Sequence, residues 1–207
     1  GVELALGYSN KWNDFAWSSN LTFSRNKNKI TELVKDYVHP ETGEIINKDR
    51  LDIGGLARAR FILKEGGSLG DLYSIADLKK DSDGNIYVDA NGNLQNVYNV
   101  DDIKLGSVFP KYNLAWRNNF SWNNFDLGFM ISARVGGIVY SATPAAMDQY
   151  GVSEASANAR NNGGVYINGG DLISAQTWYT AIGSQSGIPQ YYTYSATNVR
   201  LQEASLG

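Results

Sequence analysis

The sequence predicts an all-β protein, part of a large antiparallel transmembrane β-barrel with long extracellular loops. Three observations predict it. Long segments alternate between large apolar and small polar residues. Two tight turns are nearly identical. The long connections all fall on the side away from those turns. Side chains of a strand point to opposite faces with a period of two. Soluble sheets use strands of about 5–6 residues. Strands of about 9–11 residues with aromatics near the turns suit a wall with lipid outside and a polar lumen inside.

The first strand opens at once, with Val2, Leu4, Leu6 and Tyr8 alternating against Glu3, Ala5, Gly7 and Ser9. The second sets Phe15, Trp17, Leu21 and Phe23 against Ala16, Ser18, Asn20, Thr22, Ser24 and Asn26. The third sets Leu114, Trp116, Phe120 and Trp122 against Ala115, Arg117, Asn119 and Ser121. The fourth sets Phe125, Leu127, Phe129, Ile131, Ala133 and Val135 against Asp126, Gly128, Ser132, Arg134 and Gly136. The residues expected to face lipid are Phe15, Trp17, Leu21, Phe23, Leu114, Trp116, Phe120, Phe125, Leu127, Phe129 and Ile131. Ala16, Ser18, Asn20, Arg117, Asp126 and Arg134 are expected inside. The charges Glu3, Arg25, Arg117, Asp126 and Arg134 read as polar-face residues. On a lipid face an Arg costs about 2–4 kcal/mol at mid-membrane.

Trp12-Asn13-Asp14-Phe15 and Trp122-Asn123-Asn124-Phe125 are the two turns. Asn and Asp tolerate the left-handed backbone that short hairpins need. Strand parity puts both on one side and the connections from about Asn28 to Val108 and Tyr140 to Thr197 on the other. Outer-membrane barrels have short periplasmic turns and long extracellular loops. The turns are therefore assigned to the periplasm, and Trp12, Phe15, Trp122 and Phe125 to the inner aromatic girdle. The resulting division is a hairpin over 1–29, an extracellular segment over 30–110, a hairpin over 111–140, an extracellular loop over 141–197 and the start of a further strand over 198–207. Both ends fall in strand-like runs, so the chain reads as a piece of a longer protein.

Composition narrows the function. The 207 residues carry a formal net charge of −3, with no basic surplus for nucleic acid. There is no Cys, which removes disulfides, thiolate nucleophiles and zinc ribbons. No apolar run approaches the length of a transmembrane helix. A mean hydropathy of −0.33 says little, because a barrel strand is only half apolar.

The chemical motifs are weak. Asp81, Asp83 and Asn85, then Asp89, Asn91 and Asn93, have carboxylate spacing reminiscent of calcium loops. The sixth positions are Ile86 and Leu94, where an EF-hand needs Gly. Both read as β-turns, and no metal or cofactor is expected. EGGSLGD lacks the G-K-[ST] of a phosphate loop. His39, the single His, reads as a loop residue beside Pro40. No Ser-His-Asp set can be assembled around it, and the chain reads as no enzyme. TPAAMDQYGVSEASANARNNGG reads as partly helical.

These segments together resemble a known family. GVELALGYSNKWNDFAWSSNLTFSRNKNKI is similar to a barrel hairpin of the SusC/RagA family of TonB-dependent outer-membrane transporters of Bacteroidetes. EGGSLGDLYS resembles that family's GxxxGxxY element. LGSVFPKYNLAWRNNFSWNNFDLGFMISARVGGIVYSAT resembles its next hairpin, with Gly106-Ser107 in place of the usual Gly-Asn. MDQYGVSEASANAR and ATNVRLQEASLG resemble later segments. In the last of these Val199 and Leu201 share a face while Leu206 lies opposite, which a bulge or a bend would explain.

The resemblance implies a 22-stranded barrel around a plugged lumen, of which this chain supplies about five strands and no plug. It implies the bacterial outer membrane, outer-membrane lipid around the barrel, and TonB coupling through a region missing here. It further implies a SusD-like surface lipoprotein as lid and an oligosaccharide or oligopeptide as substrate. Trp178, Tyr179, Tyr191, Tyr192 and Tyr194 are the candidate contacts for substrate or lid, because aromatics give large contact area with a polar tip. The rival readings are a barrel porin or adhesin without TonB coupling and a soluble carbohydrate-binding β domain.

Overall fold

The computed structural model of the chain describes residues 1–184 and 187–207. In chain order its elements are β1 (Val2–Trp12), β2 (Phe15–Arg25), β3 (Val34–Val38), β4 (Ile45–Lys48), β5 (Arg50–Leu56), β6 (Ala59–Lys64), β7 (Asp71–Leu78), β8 (Asn96–Ser107), β9 (Tyr112–Trp122), β10 (Phe125–Val135), β11 (Ile138–Tyr140), α1 (Ala142–Gln149), α2 (Glu154–Asn161), β12 (Val165–Ile167), β13 (Asp171–Ile173), α3 (Ala175–Gly183), β14 (Thr193–Ser195) and β15 (Asn198–Leu206). No helix among the described residues is long and apolar enough to cross a membrane. The structure is mostly β, and it falls into two units. Gly1–Lys29, Ser107–Ile138 and Ser195–Gly207 form the first, and Ile30–Gly106 with Val139–Tyr194 the second.

The first unit is an open antiparallel sheet in the order β1-β2-β9-β10-β15. It is not closed into a barrel. β1, β2, β9 and β10 are each 11 residues long, close to what a tilted strand needs to cross a bilayer. Asn13 and Asn123 adopt φ of 50° and 52°, the left-handed region that Asn enters at lower cost than most residues. The two turns lie on the same edge, and the Asn123 N–H donates to the Asp14 carbonyl at 3.1 Å.

Paired residues of an antiparallel sheet share a face, so register carries one apolar face across all five strands. Trp12, Phe15, Trp122 and Phe125 pair in one row at the turn end. The rows beyond are Trp17–Phe120–Leu127, Leu21–Trp116–Ile131 and Phe23–Leu114–Ala133. The Trp17 and Phe120 rings lie parallel with centroids 6.1 Å apart. In β15 the break of phase is a β-bulge. Met130 pairs with Glu203 and Ile131 with Leu201, which leaves Gln202 as the extra residue. Ala204 and Leu206 thereby return to the face of Val199 and Leu201, opposite Phe129 and Leu127.

One assignment changes. Arg25 belongs to the apolar phase, two residues beyond Phe23, and pairs with Val2. It ends β2, with its guanidinium 5.6 Å from the centre of the Tyr112 ring. Grouping it with the polar residues followed its charge and not its parity. Met130 makes the opposite move. It lies on the polar face between Arg117 and Glu203, which form an ion pair at 3.0 Å.

The second unit holds a sheet in the order β5-β6-β7-β8 and the two-stranded ribbons β3-β4 and β12-β13. Its apolar centre is Leu78, Ala145, Ile182, Ile188 and Tyr192, with Trp178 and Tyr179 packed against it. The stretch read as partly helical forms α1 and α2, while α3 was not anticipated. The Ser153 hydroxyl caps α2 by accepting from the Ser156 N–H, and Ser174 caps α3 by accepting from Thr177. On β8, Asp102 accepts from Arg50 at 2.6 and 2.8 Å and pairs with Lys64 at 2.8 Å. The hydrogen bond from Arg50 is the main cause that its carboxyl is held at about 2; burial works against this and Lys64 adds to it.

Candidate functional site

The first candidate surface is the apolar face of the five-stranded sheet. Phe15, Trp17, Leu21, Phe23, Leu114, Trp116, Phe120, Phe125, Leu127, Phe129 and Ile131 all lie on it by register. Within its unit the sheet is a single layer. Phe125 is 65% exposed and Leu206 80%. Apolar patches of this extent on a monomer mark contact with another molecule or with lipid.

That face has a polar centre that sequence reasoning missed. Ser19 and Asn118 pair directly. The Trp17 indole N–H donates to Asn118 Oδ1 at 3.1 Å, and the Trp116 indole N–H donates to Ser19 Oγ at 2.9 Å. Asn118 is only 1% exposed. The aromatic rings thus cover the polar groups they bond. The signal was present as Trp-x-Ser in one strand and Trp-x-Asn in the other. Reading it requires knowing that these two strands pair.

The opposite face is polar. Ala16, Ser18, Asn20, Arg117, Asp126 and Arg134 lie there. A concavity of about 300 Å³ near the turns is lined by Ser9, Ala16, Ser18, Asn119, Ser121 and Asp126 among others. The Arg134 guanidinium donates to the Val108 carbonyl at 2.6 Å. The bulged Gln202 donates to Ser132 Oγ at 2.8 Å, which adds a polar group to this face.

The second candidate surface lies in the second unit. Trp178 on α3 meets Tyr191 edge to face at 5.5 Å. Tyr191 and Tyr194 are exposed, and Trp178 and Tyr179 are half-buried. Tyr192 leaves this set. It is 2% exposed and belongs to the core. Its hydroxyl donates to Asp148 Oδ2 at 2.8 Å, and the Ser153 hydroxyl donates to the other oxygen. Burial, reinforced by the Asp148 carboxylate, pushes the Tyr192 hydroxyl well above the usual tyrosine range.

The acidic turns spend their carboxylates on their own backbone. Asp81 Oδ1 accepts from the N–H groups of Asp83 and Asn85, and Asp89 Oδ1 from those of Asn91 and Asn93. The Asn93 N–H is the main cause that Asp89 lies below the usual carboxylate range. His39 Nδ1 accepts from the N–H groups of Glu41 and Thr42 and holds the β3–β4 turn.

No family model matches the chain. Among curated proteins it aligns with "TonB-dependent receptor P3" of Formosa agariphila, at 27% identity over 226 aligned residues. The alignment covers the whole chain and 21% of that protein. The chain is similar to a TonB-dependent receptor. It spans about a fifth of that relative's length. The likeness bears on TonB-dependent receptors broadly and carries nothing on the SusC/RagA branch.

Proposed function

We propose that this chain is a wall-and-loop segment of an outer-membrane transporter that imports a bulky nutrient by TonB coupling. The observation that carries the reading is the single-layer sheet with one continuous apolar face and one polar face, together with the likeness to a TonB-dependent receptor. A sheet of this kind needs lipid on its apolar side, since an exposed face and two unpaired edges in water invite aggregation. The row Trp12, Phe15, Trp122 and Phe125 suits the girdle at the periplasmic boundary. The second unit then belongs outside the cell.

At the finer level the transporter is of SusC/RagA type. A SusD-like surface lipoprotein closes its mouth, TonB engages a region outside this segment, and the cargo is an oligosaccharide or oligopeptide. Trp178, Tyr179, Tyr191 and Tyr194 supply contacts for cargo or lid. The segment has no catalytic role.

The test is made on the full-length protein. Outer-membrane fractions are probed for it, and uptake of labelled oligosaccharides and oligopeptides is followed with and without a protonophore. Uptake that stops with the protonophore, with a lipoprotein co-purifying, is the expected result. Uptake indifferent to the protonophore would make the barrel a passive porin. Recovery of the protein in the soluble fraction would remove the membrane reading altogether.

A further inference from the structure

We propose that Arg50, Lys64 and Lys104, on one face of the β5-β6-β7-β8 sheet, form a binding site for the carboxylate or sulfate groups of an acidic oligosaccharide. The proposal deepens the reading of the chain as part of an importer and rests on it, since this face then selects the charge of the cargo. Register and contacts bring the three cations together. Arg50 on β5 pairs with Lys64 on β6, so both stand on the same side of the sheet. Both reach Asp102 on β8. The Lys64 and Lys104 ammonium groups lie 5.2 and 6.0 Å from the centre of the same ring, that of Tyr73 on β7. Lys104 also pairs with Asp71.

The layering of the charges decides what this face attracts. The carboxylates lie beneath, with the Asp71 and Asp102 side chains 3% and 6% exposed. The cations lie above, with Arg50 43%, Lys64 37% and Lys104 52% exposed. Asp52, on the same face, is taken by Arg60 at 3.1 Å and by the Gly54 N–H. Arg50, Lys64 and Lys104 therefore share two buried carboxylates. An anion arriving from solvent meets the cations first and finds one positive charge in excess.

The cations are also held in place before a ligand arrives. Arg50 is fixed at two points, donating to Asp102 through Nε and Nη2 at 2.6 and 2.8 Å. The Tyr73 ring holds two ammonium groups without cancelling their charge. Side chains already ordered lose less freedom on binding. A guanidinium beside ammonium groups suits the oxygens of carboxylate and sulfate. The placement favours a sugar chain over a peptide. Extended peptides gain main-chain hydrogen bonds by adding to a free sheet edge. Here the bond from Arg50 to Asp102 spans the sheet from one outer strand to the other, over β6 and β7. The site is thus a face of paired strands that offers side-chain charge and no free edge.

The test measures binding to the full-length protein in detergent by titration calorimetry, with hexagalacturonate and a sulfated galactan hexamer as probes. A neutral galactan hexamer and hexaglutamate serve as comparisons. Wild type is expected to bind both acidic sugars roughly tenfold more tightly than the neutral one, and to lose that margin as salt rises. K64Q leaves Asp102 paired with Arg50 and Asp71 paired with Lys104. It is expected to bind the acidic sugars roughly fivefold more weakly, with K64R restoring them. The control K79Q removes an ammonium that lies over Tyr87 instead, and is expected to bind as wild type. Equal binding of acidic and neutral hexamers by the wild type, or unchanged binding by K64Q, overturns the proposal. Binding of hexaglutamate at least as tight as that of the sugars also overturns it, in favour of an acidic peptide. Uptake of the acidic and neutral hexamers is scored separately, with and without a protonophore. Acidic hexamers that bind but are never imported overturn the importer reading, and their role as cargo with it. Import without preference for charge overturns the proposal alone.

Discussion

Trp17 donates its indole N–H to the side-chain carbonyl of Asn118 across the β2–β9 pair, at 3.1 Å. The local two-fold of the antiparallel pair returns the bond from Trp116 to Ser19 at 2.9 Å. Four side chains close a crossing in the middle of an apolar face. No short turn joins β2 to β9, because the chain between them runs through the second unit. The register of this pair must be set by side chains. A slip of two residues preserves both faces but breaks both bonds, leaving polar groups uncompensated in an apolar setting.

A double-mutant cycle measures this crossing. W17F, N118A and W17F/N118A are compared by thermal or denaturant unfolding of the full-length protein in lipid. The expected coupling is about 0.5–1.5 kcal/mol, the net worth of a hydrogen bond. A coupling of zero would show that the two side chains are neighbours without a mutual role.

The bulge makes an unusual deletion harmless to patterning. Removing Gln202 leaves Val199, Leu201, Ala204 and Leu206 in unbroken alternation, with their partners Ala133, Ile131, Phe129 and Leu127 unchanged. Removing Ser132 from β10 instead turns one half of that strand over. The Gln202 deletion is expected to yield folded protein that resists detergent in the cold and shifts mobility on heating, while the Ser132 deletion is not. Equal behaviour of the two would mean that register at β10–β15 does not govern assembly.

What could be read from the sequence was whatever has a local period. Phe15 to Phe23 and Phe125 to Val135 announce their faces by alternation, and the two Trp-Asn turns announce their edge. The Ser19–Asn118 centre could not be read, because it exists only once β2 lies beside β9. Nor could the bulge be located, since an extra residue is defined by its partner strand. Arg25 was assigned by charge where parity was the sounder guide. In the second unit, Leu78, Ala145, Ile182 and Ile188 come from distant segments with no shared period. Nothing in the run Tyr191-Tyr192-Thr193-Tyr194 marks which ring turns inward.

Asp102 gives a pH-dependent prediction with a definite sign. Its folded carboxyl lies at about 2, held there first by Arg50, below the ordinary value near 3.8. A group depressed on folding contributes stability that is present above its unfolded pKa and lost as pH falls through its folded pKa. With its side chain 6% exposed but Arg50 43% exposed, the contribution is on the order of 1–2 kcal/mol after screening. Local opening of β5 and β8 is read by hydrogen exchange corrected for intrinsic rates. D102N is expected to be less protected than wild type at pH 7, with the difference vanishing between about pH 4 and pH 2. A difference that persists unchanged at pH 2 would show that Asp102 acts by packing and not by charge.

Tyr191 and Tyr192 are adjacent and are expected to fail in different ways. The Tyr192 hydroxyl and that of Ser153 satisfy the buried Asp148 carboxylate, and no cation pairs with that carboxylate among the described residues. Removing a donor to a buried charged acceptor costs about 1.5–3 kcal/mol. Y192F is therefore expected to lower hydrogen-exchange protection of α1 and of the Ser153 cap at α2. Tyr191 instead lies at the surface against Trp178. Loss of that edge-to-face contact is worth only about 0.5–1.5 kcal/mol, so Y191A is expected to leave protection of α1 near wild type while lowering uptake or lid binding in the full-length transporter. The two variants must be compared at equal surface expression, because a destabilised outer segment lowers uptake by reducing the number of barrels. Normal uptake and lid binding in Y191A would assign its ring to packing alone. Unchanged protection in Y192F would mean that Ser153 and the surrounding core hold Asp148 without it.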